Sequence, residues 1–206
     1  MNRKMSGVLC ALLITVASLV SACATVGGGE ECPISPDTVV KSMPAGTKDF
    51  PVSELPPPEN EADKKYLGIS GSGSFTVGHI KAQVVIIEVF SFYCPHCQRT
   101  AAQINDLYRL IEERPDLKGK VKLIGIGAKN SAFEVDAYRE RYHVPFPLFP
   151  DEEMELTGKL GVKGTPTFIG VRMAEGKGVP RQFFFGEGGF EDNQKFLTEI
   201  IRLSGL

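Results

Sequence analysis

The chain has 206 residues, 42% of them hydrophobic, which is enough for one packed domain with an extension left over. Its 23 basic and 25 acidic residues leave a net charge of −2, with no basic stripe and no acidic run. No nucleic-acid partner and no polyanionic tail are therefore expected.

The N-terminus reads as a targeting segment. Arg3 and Lys4 precede an uncharged apolar stretch from Gly7 to Val20, the length of a signal core and short for a bilayer-spanning helix. Val20-Ser21-Ala22-Cys23 resembles the bacterial lipobox, in which small residues precede a cysteine that is acylated and becomes the new N-terminus. Residues 1–22 are thus expected to be a lipoprotein signal peptide, with Cys23 the lipidation site. Two or three acyl chains would hold a soluble domain on a membrane, whereas a single chain binds only marginally. An ordinary signal peptide cleaved near Ala22 or Ala24 is the alternative. Ala24, rather than Asp, follows the cysteine, and by resemblance to enterobacterial sorting this favours the outer membrane over the inner. The expected location is the periplasmic face of a bacterial membrane. Of the five cysteines, Cys10 would be lost with the signal and Cys23 would carry lipid. Cys32, Cys94 and Cys97 remain, and Cys32 is expected to be an incidental thiol.

Residues 23–65 are interrupted by Gly27-Gly28-Gly29, Pro33, Pro36, Pro44, Pro51 and Pro56-Pro57-Pro58, and are expected to form a mostly unpacked tether. The folded domain is expected over 66–206. Short strands are predicted over Tyr66–Ile69 and Phe75–Ile80, and a long one over Val84–Ser91, whose unbroken apolar run suits a central strand buried on both faces. Pro95 occupies a first helical position, and Cys97, Ala101, Ile104, Tyr108 and Ile111 follow at helical spacing. A strand over Val121–Ile126 leads to the capping-box pattern Ser131–Glu134 and a helix reaching Tyr142. Phe146–Phe149 is a short strand candidate. Asp151 is the expected cap of a helix ending at Gly161. After Thr165-Pro166-Thr167 come a strand over Phe168–Arg172, a turn at Glu175–Gly178, and a returning strand over Arg181–Phe185. A last helix is predicted from about Glu191 to Leu203. This order gives an α/β domain with a central mixed β-sheet flanked by helices.

Cys94-Pro95-His96-Cys97 sits at the junction between the long strand and the first long helix. Cys94 falls at the helix N-cap, where backbone N–H groups and the helix dipole stabilise a thiolate. Cys94 is therefore the expected nucleophile. Cys97 continues the apolar face and is the expected buried resolving thiol. A partly protonated His96 between them would stabilise the thiolate further and make the disulfide a stronger oxidant. Glu88, six residues before Cys94, would place a carboxyl in a buried strand, where its pKa rises and it can exchange a proton with Cys97. Thr165-Pro166 has the form of a tight turn that can hold a cis peptide bond.

These residues resemble the thioredoxin superfamily over roughly Tyr66–Leu206, implying a thioredoxin-like fold. Phe90-Ser91-Phe92-Tyr93-Cys94-Pro95-His96-Cys97 is similar to the active-site segment of DsbA-type oxidases, which also carry an acidic residue where Glu88 stands. Thr165-Pro166 matches the cis-proline loop, which implies that the Thr165 backbone pairs with an extended substrate peptide. There is no length for the helical insertion of DsbA-type proteins. Val121–Gly127, the Glu134–Tyr142 helix, Phe146-Pro147-Leu148 and Gly161–Pro166 instead resemble the TlpA/ResA-like, redoxin-type branch, many of whose members are membrane-tethered reductants. The scaffold leans reductive and the Pro-His dipeptide oxidative. The implied partners are protein thiols and disulfides, together with a membrane or periplasmic redox partner, and no cofactor is expected.

A copper- or zinc-handling module using Cys94, Cys97 and His96 is the alternative, though one cysteine pair supplies only two thiolates. His79 and His143 read as ordinary residues. Gln98 stands where covalent haem attachment would need His. Cys94 also lacks the Pro-and-Thr lead-in of a peroxidatic cysteine.

Overall fold

The computed structural model describes residues 47–206 apart from Glu175 and Lys177. The signal segment, Cys23, Cys32 and the tether as far as residue 46 lie outside the described residues.

The organising element is β2, Val84–Phe90, buried at every position. It pairs in parallel with β3 (Val121–Ala128), and β3 in turn with β4 (Leu148–Asp151). On its other side β2 runs antiparallel to β5 (Thr167–Arg172), which forms a hairpin with β6 (Arg181–Glu187). A two-residue strand β1, Lys48–Asp49, completes a six-stranded mixed sheet in the order β1-β6-β5-β2-β3-β4. Strand alternation divides the side chains of β2 between two cores. Val84, Ile86 and Phe90 face helices α2 (Pro95–Glu113), α3 (Ala132–Tyr142) and α5 (Asn193–Ser204). Val85, Ile87 and Val89 face α1 (Glu61–Leu67) and α4 (Glu155–Leu160). Cover on both faces is why this strand reads as a continuous apolar run.

The long elements fall where the pattern places them, including the capping box in which Ser131 and Glu134 bond reciprocally and the Asp192 cap of α5. Four expectations are corrected. Tyr66–Ile69 is not a strand. Asn60 caps a helix by accepting the Asp63 N–H at 2.7 Å, and Gly68 closes it at φ 69°. Phe75–Ile80 is not a strand either. Phe75 bridges Leu55, and a 3₁₀ turn follows at Val77–His79, where the Thr76 N–H donates to His79 Nδ1 at 3.1 Å. Asp151 ends β4 instead of standing at the helix N-cap; its carboxylate still receives the Leu156 and Thr157 N–H groups, so it caps α4 from the strand.

The fourth correction concerns the tether. Its described part, 47–65, is packed: β1 pairs with β6, the Phe50 N–H donates to Pro180 at 2.8 Å, and Phe50 and Leu55 are buried in the α1/α4 core. Proline excludes helix here but does not prevent an extended segment from lying on a sheet edge. Two apolar side chains then anchor it.

Candidate active site

The site forms where β2 ends and α2 begins. Ser91 to Cys94 make a turn closed by the Cys94 N–H on the Ser91 carbonyl at 3.0 Å, and Pro95 starts the helix. Cys94 is the N-cap: its Sγ accepts the Cys97 N–H at 3.3 Å. Its thiol also donates to the Thr165 carbonyl at 3.2 Å, across a cis Thr165–Pro166 bond. The sequence-predicted cysteine pair and proline loop are thus in direct contact, although 71 residues separate them.

The two thiols have different surroundings. Burial pushes the Cys94 thiol up, but hydrogen bonding from the side chains of Cys97 and Thr165 and from the N–H groups of Cys97 and His96 outweighs it, leaving Cys94 below the ordinary cysteine value. Cys97 is 0% exposed. Burial, the bond to Cys94 and, once it ionises, the Glu88 carboxylate all push its thiol well up. One sulfur is therefore half-exposed and the more easily ionised, and the other is a buried thiol held behind it.

Glu88 is 2% exposed and lies between Ile86 and Phe90, the β2 residues that share a core cluster with Cys97 of α2. Desolvation pushes its carboxyl up to about 8, and its Oε1 has no hydrogen-bond partner among the described residues. Such a group holds a proton at neutral pH and can exchange it with a neighbour. His96 is half-buried, and its ring sits over Gly189: a Cβ there would approach Nε2 to 3.1 Å. The imidazole makes no hydrogen bond to Cys94 among the described residues.

Sequence reasoning missed Tyr138. Its phenol, buried against Phe90 with ring centroids 4.4 Å apart, donates to the Cys97 carbonyl at 3.0 Å. Its place on the inward face of α3 was legible, but not its partner. Beside the cysteines, the Gly188 N–H donates to the Pro166 carbonyl at 2.9 Å, tying the end of β6 to the proline loop. An open groove of about 280 Å³ runs along Lys163, Gly164, Thr165, Pro166, Glu187 and Gly188. Among the described residues no three His, Cys, Asp or Glu side chains cluster as a metal site would require. The metal-handling alternative therefore lacks a ligand set there.

Comparison with known proteins agrees with this geometry. The model of the AhpC/TSA family matches residues 58–190, and the chain belongs to that family. Thiol-disulfide oxidoreductase ResA of Halalkalibacterium halodurans is 24% identical over 96 residues, 47% of this chain and 52% of that protein, so the chain spans about half the length of the curated relative it matches. This is the branch that the TlpA/ResA-like resemblance indicates. A thioredoxin-like superfamily protein superposes with a TM-score of 0.55 at 17% identity, over 77% of this chain and 97% of the other. A thioredoxin-family thiol:disulfide interchange protein of Chlorobium tepidum does so with a TM-score of 0.50 at 13% identity, over 78% and 97%. The fold is thioredoxin-like.

Proposed function

We propose that this member of the AhpC/TSA family is a membrane-anchored, extracytoplasmic thiol-disulfide oxidoreductase that exchanges disulfides with protein substrates through Cys94 and Cys97. The observation that carries the reading is the N-cap position of Cys94, whose sulfur receives the Cys97 N–H at 3.3 Å while Cys97 is buried behind it. A helix N-terminus lowers the cost of the thiolate that must attack.

In the reductive direction the Cys94 thiolate attacks one sulfur of a substrate disulfide. A mixed disulfide forms and the first substrate thiolate leaves. Glu88, after losing its own proton to solvent, takes the proton of Cys97, which attacks the Cys94 sulfur, releases the second substrate thiolate and closes the Cys94–Cys97 disulfide. Two electrons pass from the protein dithiol to the substrate, and the two substrate thiolates take up two protons. The oxidative direction reverses every step. The Thr165–Pro166 edge of the groove is the place for an extended substrate backbone, and His96 is assigned a supporting electrostatic role at Cys94.

Substituting Cys97→Ser tests the roles. Mixed disulfides with substrate should accumulate on Cys94, whereas Cys94→Ser should abolish exchange. A Cys97→Ser protein that traps nothing, from a wild type that turns over, would overturn the assignment. The redox state of the pair in cells assigns direction: a mostly oxidised pair is a disulfide donor, and a mostly reduced pair is a reductase fed by a membrane electron carrier. The anchor rests on Val20-Ser21-Ala22-Cys23. Fatty-acid labelling lost in Cys23→Ser, with release of the protein from the membrane fraction, is the expected result. By resemblance to enterobacterial sorting, Ala24 rather than Asp after Cys23 slightly favours the outer membrane.

A further inference from the structure

The turn that delivers Cys94 is held from outside by two side chains. Ser91–Cys94 is a four-residue turn, and Phe92 supplies the N–H of its first peptide and the carbonyl of its second. The Phe92 N–H donates to Asn130 Oδ1 at 2.7 Å. The Phe92 carbonyl accepts from Gln98 Nε2 at 2.7 Å. These side chains come from different elements, Gln98 from the first turn of α2 and Asn130 from the junction between β3 and α3.

The surroundings of Asn130 are arranged for this contact. Asn130 is 0% exposed, and its Nδ2 donates to the Lys129 carbonyl at 3.1 Å. Lys129 itself adopts φ 54°, a left-handed conformation that a lysine occupies at a cost. Gly127 leaves the space: a Cβ there would come within 2.8 Å of Val135 Cγ2 and 3.0 Å of Asn130 Cβ. One residue along the turn, the Tyr93 phenol donates to Glu134, which already caps α3 through Ser131. Gln98 is also tied in through its backbone, since its N–H donates to the Cys94 carbonyl at 3.1 Å.

We propose that Gln98 and Asn130 are positioning residues for the Cys94 thiol, clamping the Phe92 peptide groups so that the sulfur meets the Cys97 N–H that stabilises its thiolate. Neither side chain touches sulfur. Both act by fixing the turn that places Cys94 at the N-cap, where a sub-ångström displacement changes the hydrogen bonds that hold its thiolate. The proposal rests on the reading of Cys94 as the attacking thiolate.

The test is the pH profile of iodoacetamide alkylation at Cys94 in the full chain, followed by mass spectrometry, for wild type, Gln98→Met and Asn130→Ala. Gln98→Met keeps the shape of the side chain and removes the donor. Below the wild-type midpoint its Cys94 thiolate fraction should fall about fivefold, the worth of one net hydrogen bond, with the midpoint moving up. Asn130→Ala should move it the same way. If Asn130→Ala does not fold, Gln98→Met decides alone. A Gln98→Met profile that overlays the wild type overturns the clamp, even with a lowered melting temperature, because then the contact only stabilises the fold. Failure of the underlying reading looks different: wild-type Cys94 would then titrate no lower than the same cysteine in the denatured chain.

Discussion

Glu88 is the residue whose energetics reach furthest. Its carboxyl belongs near 4.5 when exposed and is pushed up to about 8 in the folded chain. Between those values the folded state holds a proton that the unfolded state has lost, so stability falls as pH rises through that window and levels off above it. Glu88→Gln should flatten this slope: its melting temperature should exceed that of wild type near pH 8, with a smaller difference near pH 5. Parallel melting curves across the window would remove Glu88 from the protonated, buried role. In the reaction the same substitution should slow resolution about a hundredfold or more, the range of one positioned proton-transfer group, seen as longer-lived mixed disulfides. His96 has a separate test. Its replacement should make the pair more reducing, through loss of an electrostatic partner of the Cys94 thiolate, and an unchanged potential would end its part in the mechanism. Each of these residues was legible in the sequence because its type conflicts with its position: a carboxyl in an apolar strand, an imidazole inside a cysteine pair. Tyr138 and Asn130 were not, because a tyrosine on a helix face and an asparagine in a turn conflict with nothing until the backbone group they bond is known.

Among the elements, agreement and failure sort by what stabilises each one. Strand β2 and helix α2 carry their signals locally, in β-branched runs and apolar spacing, and both were predictable to within a residue or two. Helix α1 overlaps the expected tether up to residue 65 and, at Tyr66 and Leu67, the strand expected over Tyr66–Ile69, because those two are apolar neighbours in a short segment. What forms it is a cap at Asn60 and a left-handed Gly68, reinforced by the Tyr66 hydroxyl accepting the Leu123 N–H at 2.9 Å. The segment before it, Lys48–Leu55, has no periodicity and is ordered by contact with β6 and the α1/α4 core. That gives a direct prediction. Leu55→Ala should cost about 2–5 kcal/mol, the range for emptying a buried leucine site, measured by chemical denaturation. A loss within about 0.5 kcal/mol, as for ordinary surface positions, would return this segment to the tether.

At the scale of the whole molecule, the sheet order brings the ends of four elements to one pole. Strand β2 ends there in the turn to Cys94, β3 in Asn130, β5 begins there after Pro166, and β6 ends there at Gly188. Strand β1 pairs with the opposite end of β6, at Arg181 and Gln182. The sequence by itself determined the α/β class, the mixed sheet, the cysteine pair, the proline loop and the buried carboxyl, since each is written in local residue type and spacing. Only the tertiary structure decided which backbone groups the side chains of Gln98, Asn130 and Tyr138 satisfy, and that Thr165 meets the Cys94 sulfur. It also decided that the proline-rich stretch from Lys48 onward is part of the domain. The physical reason is common to all of these: they depend on hydrogen bonds and burial between residues far apart in the chain, where periodicity is silent and a single strand pairing sets the partner.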